Sequence, residues 1–360
     1  MRFGINLPFK RQDGSALTVK DLMARANLIE DVGFDGIWVG YTVGRWNTTG
    51  VDSLEWLLAA AAGTERIELG TAVLVVPLRY PVELTQRIMS LFALSGGRFS
   101  CAVGSGSLPL DFEAVGVEHS QRFKIFNQGV PTMKKLLDGE TVGTANIHPW
   151  PDIVGKPRIL VASWYNGQWI KRAAEEYDGW VASGLNSTFA ELREGIKRYR
   201  DHGGKRAMVA TVGVNFGGTT PRLDDHTNFN LRCGYDEASE RVERLADLGF
   251  DDLLLAAGTS YAPEDVPEDL LRQILSLRSG KTGGAKPEAL SIGNAGDRPR
   301  AQDPVCRRFV DLTTMTSPTS RTIYTRDYEG ATYYLCSEGC LKAFERTRHA
   351  YVQVREQLPH

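Results

Sequence analysis

The sequence lacks the features of a membrane protein and of a nucleic-acid-binding protein. It has no uninterrupted apolar run of the ~20 residues that a membrane span needs. Its 42 Lys and Arg against 44 Asp and Glu give a formal net charge of −2, which attracts neither nucleic acid nor a lipid surface. The residues after Met1 contain no apolar targeting core. We therefore expect a cytoplasmic protein with a small-molecule substrate and no nucleic-acid or membrane partner.

Cysteine is also scarce, but Cys306, Cys336 and Cys340 lie close together near the C-terminus. In a cytosolic protein such a cluster is more often a metal site than a disulfide framework. Cys336 and Cys340 are four residues apart and would face the same way at the start of a helix. Three thiolates suit Zn²⁺ or a copper ion, with Asp303, His349 or a water as the fourth ligand. The alternative is three reduced cysteines in a small core.

Short, continuously apolar segments alternate with amphipathic helical segments over most of the chain. Such strands are typical of a parallel sheet that is buried on both faces. The predicted strands span residues 2–8, 36–41, 67–75, 99–103, 158–163, 179–183, 208–215 and 252–257. Eight strands, each followed by a helix, predict an α/β fold of the (β/α)8 TIM-barrel type, with an open doubly wound sheet as the alternative.

The pattern changes after residue 278, which predicts three parts. Residues 1–278 are the predicted barrel domain. Residues 279–302 are rich in Gly, Ser, Lys and Pro, which predicts a flexible linker. A small module containing the three cysteines follows over residues 303–354.

Two segments at predicted strand ends suit a phosphate group, because active sites of such barrels lie at the C-terminal ends of the strands. Gly104, Ser105 and Gly106 follow the fourth strand, and their small size would let backbone N–H groups approach an anion. Residues 162–168 follow the fifth strand and lead into a helix, whose N-terminus offers unpaired N–H donors. For the segment after the fourth strand, an ordinary tight turn is the alternative.

Six short motifs follow one another along the predicted barrel: Leu-Gly-Thr-Ala-Val at 69–73, Arg-Tyr-Pro-Val at 79–82, Leu-Ser-Gly-Gly-Arg-Phe at 94–99, the loop at 104–107, Phe-Glu-Ala-Val-Gly at 112–116 and Ala-Ala-Glu-Glu-Tyr-Asp-Gly-Trp at 173–180. In this order they resemble the motifs of the luciferase-like monooxygenase family. The resemblance implies a flavin- or deazaflavin-dependent oxidoreductase, with FMN or coenzyme F420 over the barrel mouth. It implies a monooxygenase that uses reduced flavin on paired donors, or hydride transfer with F420.

The resemblance also implies particular site residues. A bulge on the third strand and a non-proline cis bond are expected behind the ring, and the matching bond is Ala72–Val73. The predicted cofactor-binding residues are Asn6, Ala72, Val73, Gly104, Ser105, Gly106, Ala162, Ser163, Asn166, Gly167 and Gln168.

One departure concerns catalysis. Many members of the family carry an acidic residue and a histidine after the second strand, where this chain has Tyr41 and Thr42. Neither is a base near neutral pH, because tyrosine titrates near ~10. Tyr41 can still donate a hydrogen bond to a substrate oxygen, so these two residues are the predicted catalytic pair. Chemistry carried by the cofactor itself needs no protein base.

The aromatic residues near the predicted mouth indicate a small, mostly apolar organic substrate. Trp38, Tyr41, Trp46, Trp164 and Tyr165 are expected to form an apolar wall, although packing in the core or a lid is the alternative. A separate flavin reductase is an expected partner if the cofactor is FMN. The family resemblance further implies a homodimer.

The C-terminal module has its own resemblance. Its Tyr-Tyr-x-Cys-Ser-x-x-Cys core at 333–340 is similar to that of YHS domains, small metal-associated modules, although Arg307, Arg308 and Arg348 depart from the pattern. This implies a bound metal ion. Two other functions stay open: a non-catalytic flavin-binding protein, and a metal-handling protein with the barrel as scaffold.

Overall fold

The computed structural model describes residues 1–6, 17–40, 43, 51–218, 222–257, 266–279, 300–302, 309–311, 323–328, 330–335, 338–346 and 348. The strands are β1 Arg2–Asn6, β2 Gly36–Val39, β3 Glu68–Val75, β4 Phe99–Gly104, β5 Arg158–Ala162, β6 Gly179–Ser183, β7 Ala207–Val214, β8 Asp252–Ala257, β9 Arg300–Gln302, β10 Phe309–Asp311, β11 Tyr324–Tyr328 and β12 Ala331–Leu335. The helices are α1 Val19–Val32, α2 Ser53–Ala62, α3 Pro81–Leu94, α4 Pro109–Ala114, α5 Arg122–Leu137, α6 Trp169–Glu175, α7 Phe189–Asp201, α8 Tyr235–Asp247, α9 Glu268–Ser276 and α10 Glu338–Arg346.

The first eight strands form a closed barrel in sequence order. Strand β1 pairs in parallel with β2 on one side and with β8 on the other, where Asn6 lies beside Ala256. This closure confirms the predicted (β/α)8 fold and excludes the open doubly wound sheet. All eight predicted strands are present, and where the structure describes them their ends agree with the prediction or differ from it by one residue.

Local sequence signals set the helix starts around the barrel. Thr18 and Asp21 form a capping box at the start of α1, and Asp52 accepts a hydrogen bond from the backbone of Leu54 at the start of α2. Pro81 occupies the first turn of α3, where a missing N–H costs nothing. Among the described residues, no helix combines the length and apolar character of a membrane span.

Trp38 fills the lower half of the barrel interior. Its side chain is 1% exposed, and a Cβ on Gly70 would lie 2.2 Å from its ring. Cβ atoms on Gly4 and Gly36 would lie 2.7 and 2.5 Å from the same ring, so all three glycines make room for the indole. The prediction that Trp38 forms a wall of the mouth was therefore wrong: the alternation of β2 turns this side chain inward, below the mouth.

A network of ion pairs closes the N-terminal end of the barrel. The guanidinium of Arg206 donates to both oxygens of Glu68 at 2.8 and 2.9 Å and to both oxygens of Asp252 at 2.8 Å. Arg2 and the hydroxyl of Ser100 donate to Glu68 at 2.6 Å each. Burial by itself would raise the pKa of Glu68, but Arg206, Ser100 and Arg2 outweigh it and lower this pKa to about 2.

The chain divides into two compact units. The barrel unit contains residues 1–42, 46–106 and 120–292, and the C-terminal unit contains residues 43–45, 107–119 and 293–360. In the C-terminal unit β9 and β10 form an antiparallel pair, as do β11 and β12. Residues 300–302, the end of the predicted linker, thus belong to a strand.

A small apolar cluster lies inside the C-terminal unit. Its buried members are Tyr333, Leu335, Cys340, Leu341, Ala343 and Phe344. Leu110 of α4 packs against this cluster, and Glu113 of α4 pairs with Arg346 at 3.0 Å. The segment that follows β4 in the chain is therefore part of this unit.

Candidate cofactor site at the mouth of the barrel

Small side chains occupy the inward positions at the C-terminal ends of all eight barrel strands. Their immediate neighbours along the strands, such as Ile5, Val103 and Leu255, point outward into the core between sheet and helices. We call the inward set the mouth ring; it consists of Asn6, Gly40, Ala72, Val73, Gly104, Ala162, Ser183, Gly213 and Ala256. Among the described residues, this ring of small side chains lies above a layer formed by larger residues such as Leu160, Met208 and Leu254.

Strand β3 contributes two consecutive residues to the mouth ring. The register between β3 and β4 shifts between Thr71 and Leu74, which is the predicted bulge. The Ala72–Val73 peptide bond is cis, as predicted. Both side chains are partly exposed and pack against the inner cluster of the barrel.

Gly104 lies beside this bulge. A Cβ on Gly104 would come within 2.7 Å of Cγ2 of Val73 and 3.7 Å of Cβ of Ala162. Four predicted cofactor-binding residues from three strands are thus in one place. Gly106 has a φ of +77°, so the chain turns sharply after β4 with small residues at the turn.

The segment after β5 forms a compact turn. The backbone N–H of Gly167 donates to the carbonyl of Trp164 at 2.9 Å, and a Cβ on Gly167 would lie 2.5 Å from the Ser163 hydroxyl. Asn166 and Gln168 are exposed, and the following helix α6 has seven residues. Tyr165 packs toward α7, because a Cβ on Gly195 of that helix would lie 3.0 Å from the Cβ of Tyr165. Only Trp164, 47% exposed, remains from this segment as a candidate for an apolar wall.

Strand β7 carries a second bulge that the sequence did not indicate. Its register against β8 shifts between Val209 and Val212, and Thr211 there has a φ of +61°. A β-branched residue rarely adopts this conformation, and such outliers concentrate at functional sites. In the barrel order β7 lies opposite β3, so the two bulges face each other across the mouth.

The described mouth ring contains no acid or base. Cys101 is the nearest thiol, and burial raises its pKa to about 12, so it stays protonated and inert. The predicted catalytic residues Tyr41 and Thr42 lie outside the described residues, and so does Trp46 of the predicted wall. The described mouth ring therefore offers small, mostly apolar side chains, with Asn6 and Ser183 as its polar members.

These features define a TIM barrel with an open, small-residue site at the C-terminal face. The family model of the luciferase-like monooxygenases matches residues 1–218, and the chain belongs to this family.

Two curated relatives show the range of that family. The chain is 35% identical to F420-dependent glucose-6-phosphate dehydrogenase of Beutenbergia cavernae over 150 residues. This stretch covers 37% of this chain and 44% of that protein. It is 32% identical to 4-hydroxyprotoasukamycin monooxygenase of Streptomyces nodosus subsp. asukaensis over 117 residues. This second stretch covers 32% of this chain and 31% of that protein. The chain thus spans less than half the length of these relatives.

Two solved structures share the fold. An F420-dependent secondary alcohol dehydrogenase in complex with an F420–acetone adduct has a TM-score of 0.58 at 15% identity, over 76% of this chain and 96% of that one. The oxygenating constituent of 3,6-diketocamphane monooxygenase from Pseudomonas putida, in complex with FMN, has a TM-score of 0.57 at 17% identity, over 71% and 91%. At these identities the likeness concerns the fold alone.

Proposed function

We propose that this protein is an oxidoreductase that binds a reduced flavin or deazaflavin at the mouth ring and acts on a small, mostly apolar organic substrate. The observation that carries the proposal is the mouth ring itself, where the bulge of β3 meets Gly104 and Ala162 without a large side chain. Membership of the luciferase-like family supports the same function. In this function Ala72, Val73, Gly104 and Ala162 support the ring, while the turns at 104–106 and 163–168 hold the phosphate.

The cofactor is FMN or F420, and the relatives support both. One relative is an F420-dependent glucose-6-phosphate dehydrogenase, and another is a monooxygenase. Reduced FMN supplies electrons to oxygen, whereas reduced F420 supplies a hydride to the substrate. With FMN, a separate flavin reductase would be the partner that delivers the reduced cofactor.

Identification of the bound cofactor tests this proposal. The full-length protein is purified, its visible spectrum is recorded, and any released molecule is identified by mass spectrometry. FMN supports oxygen-dependent monooxygenation, and F420 supports hydride transfer independent of oxygen. A colourless protein that binds neither added FMN nor added F420 contradicts the proposed function.

Binding without turnover is the second candidate function, because the described mouth ring offers no acid or base. It predicts a stable complex with the reduced cofactor and no change in any organic substrate. Consumption of the reduced cofactor that depends on an added substrate would exclude it.

For the C-terminal unit we propose a YHS-like module that binds Zn²⁺ or copper through Cys306, Cys336 and Cys340. Cys340 is buried in the apolar cluster of that unit, which suits a soft ligand shielded from water. Cys306 and Cys336 lie outside the described residues, and the described residues contain no group of three metal-ligating side chains. A handling role for the metal, with the barrel as scaffold, is the third candidate function.

Replacing Cys336 by Ser is expected to reduce the metal content from about one equivalent to near zero, because a three-thiolate site loses affinity when one ligand is removed. Elemental analysis of the purified full-length protein measures this, and Cys233→Ser in the barrel unit is the control. If the metal content of the Cys336 variant were unchanged, the proposed three-cysteine metal site would be contradicted. The alternative, that the cysteines are reduced and packed in a small core, would then be favoured.

We also propose a homodimer that pairs through α2 and α3. Apolar side chains are exposed on and beside these helices: Leu58 is 43% exposed, Leu94 is 67% exposed and Tyr80 is 84% exposed. Glu55, Glu83 and Arg87 flank Leu58 and Leu94 in a groove between the two helices. A second copy would cover this apolar surface and place polar groups at its rim.

Leu58→Asp is expected to convert the dimer to a monomer, because a charge would be buried in the apolar part of the contact. Sedimentation equilibrium of the full-length protein measures the mass. Val154→Asp, at a residue 40% exposed and away from α2 and α3, is the matched control. A wild-type protein that sediments as a monomer contradicts the proposed pairing.

A further inference from the structure

Arg232 lies against the inner face of β7 at the barrel mouth. Val212 and Val214 point outward into the core, so Gly213 between them points inward. A Cβ on Gly213 would lie 2.6 Å from Nε and 2.9 Å from Nη2 of Arg232. The guanidinium therefore occupies the space that a side chain on Gly213 would fill, and Arg232 as a whole is partly exposed.

The backbone around Arg232 is held in place on both sides. Leu231 pairs with β7, donating to the carbonyl of Gly213 at 2.8 Å, and its own carbonyl accepts from Asn215 at 3.0 Å. A Cβ on Gly218 would lie 2.4 Å from the carbonyl oxygen of Arg232, so the loop passes close only because residue 218 is glycine. The position of the guanidinium is thus built into the fold by two close glycine contacts.

We propose that Arg232 binds a compact anionic group, a phosphate or a carboxylate, on the substrate. A guanidinium presents a planar fork of donors that matches both groups. The residue belongs to the β7 side of the mouth, whereas the turns assigned to the cofactor phosphate follow β4 and β5 on other strands of the barrel. The substrate would therefore carry an anionic group on an otherwise mostly apolar body. This inference rests on the proposed function, because it assigns the β7 side of the mouth to the substrate.

The test compares binding of inorganic phosphate and of acetate to the full-length protein with its cofactor bound, by isothermal titration calorimetry. Arg232→Met is expected to weaken binding of the anion at least about tenfold, the loss of a charged hydrogen bond. Gly213→Ala is expected to weaken it as well, because the added Cβ displaces the guanidinium. Loss of phosphate binding but not of acetate binding, or the reverse, distinguishes the two anionic groups.

Arg222→Met is the matched control, because it removes the same charge from the loop between β7 and α8 at a side chain that is 79% exposed. Cofactor affinity is measured in parallel by fluorescence and is expected to stay unchanged in Arg232→Met and Arg222→Met, neither of which alters a residue of the mouth ring. If neither FMN nor F420 binds but phosphate binding still depends on Arg232, the proposed function fails while the assignment of Arg232 as an anion-binding residue is supported. Anion binding that is absent in the wild-type protein, unchanged by Arg232→Met, or lost together with cofactor affinity would overturn it.

Discussion

Ala162→Phe is expected to weaken binding of the flavin or deazaflavin by about 100-fold, or about 3 kcal/mol, the upper range for overpacking a fitted site. Ala162 is the mouth-ring residue of β5, and it lies 3.7 Å from the position of a Cβ on Gly104. A phenyl ring here would occupy the floor that the cofactor ring needs. Because Ala162 is partly exposed, the phenyl ring can extend into the open mouth without displacing the core. Fluorescence titration with FMN and with F420 measures the affinity.

Ala162→Ser is the control for this variant, because it changes polarity with almost no change in size. It is expected to bind the cofactor within about twofold of wild type, because the added hydroxyl hardly changes the volume at the floor of the site. Thermal unfolding of both variants should resemble wild type. If Ala162→Phe bound the cofactor with unchanged affinity, the mouth ring would not be the floor of the site.

Glu68→Gln is expected to lower the free energy of unfolding of the barrel by about 3 kcal/mol at pH 7. The pKa of Glu68 in the folded protein is about 2, against 4.5 for an unperturbed glutamate. At about 1.36 kcal/mol per pH unit, this difference corresponds to about 3 kcal/mol of stability. The amide leaves Arg206 with a single buried carboxylate, that of Asp252, to balance its charge. Urea denaturation followed by the fluorescence of the buried Trp38 and Trp180 measures the change.

The same pKa predicts the acid dependence of stability. Because the folded pKa lies below the unfolded one, the contribution of Glu68 is complete above pH 4.5 and is lost as the pH falls from 4.5 toward 2. The Glu68→Gln variant should therefore lose less stability than wild type over this range. Asp225→Asn is the control, because it removes only an exposed ion pair with Arg193. It should change neither the free energy of unfolding at pH 7 nor its acid dependence measurably. Equal acid slopes in wild type and Glu68→Gln would show that the network at the bottom of the barrel does not stabilise it.

The barrel could be predicted from sequence because its signals are local. Each buried strand is a short apolar run, and caps such as Thr18, Asp52 and Pro81 mark where helices begin. The family motifs located the β3 bulge, its cis bond and Gly104, and the structure brings these together. The predicted catalytic pair Tyr41 and Thr42 and the three predicted metal ligands Cys306, Cys336 and Cys340 stay predictions.

Other features depend on residues that are far apart in the chain. The position of Trp38 depends on glycines contributed by three strands, so an aromatic residue near a strand end could not be assigned to the mouth from its place in sequence alone. The bulge of β7 has no glycine or proline to mark it. Gly213 and Arg232 are ordinary residues until the loop after β7 folds back onto that strand.

By itself the sequence determined the type and order of the barrel elements and the family of the chain, because hydrophobic period, capping and family motifs act over a few residues. Only the tertiary structure decided which side chains face the interior and which charges meet. Glu68 and Arg206 are 138 residues apart in the chain, yet closure of the barrel places them 2.8 Å apart. The physical reason is that closure fixes every strand's inward face at once, and no local pattern records which distant residue will share that interior.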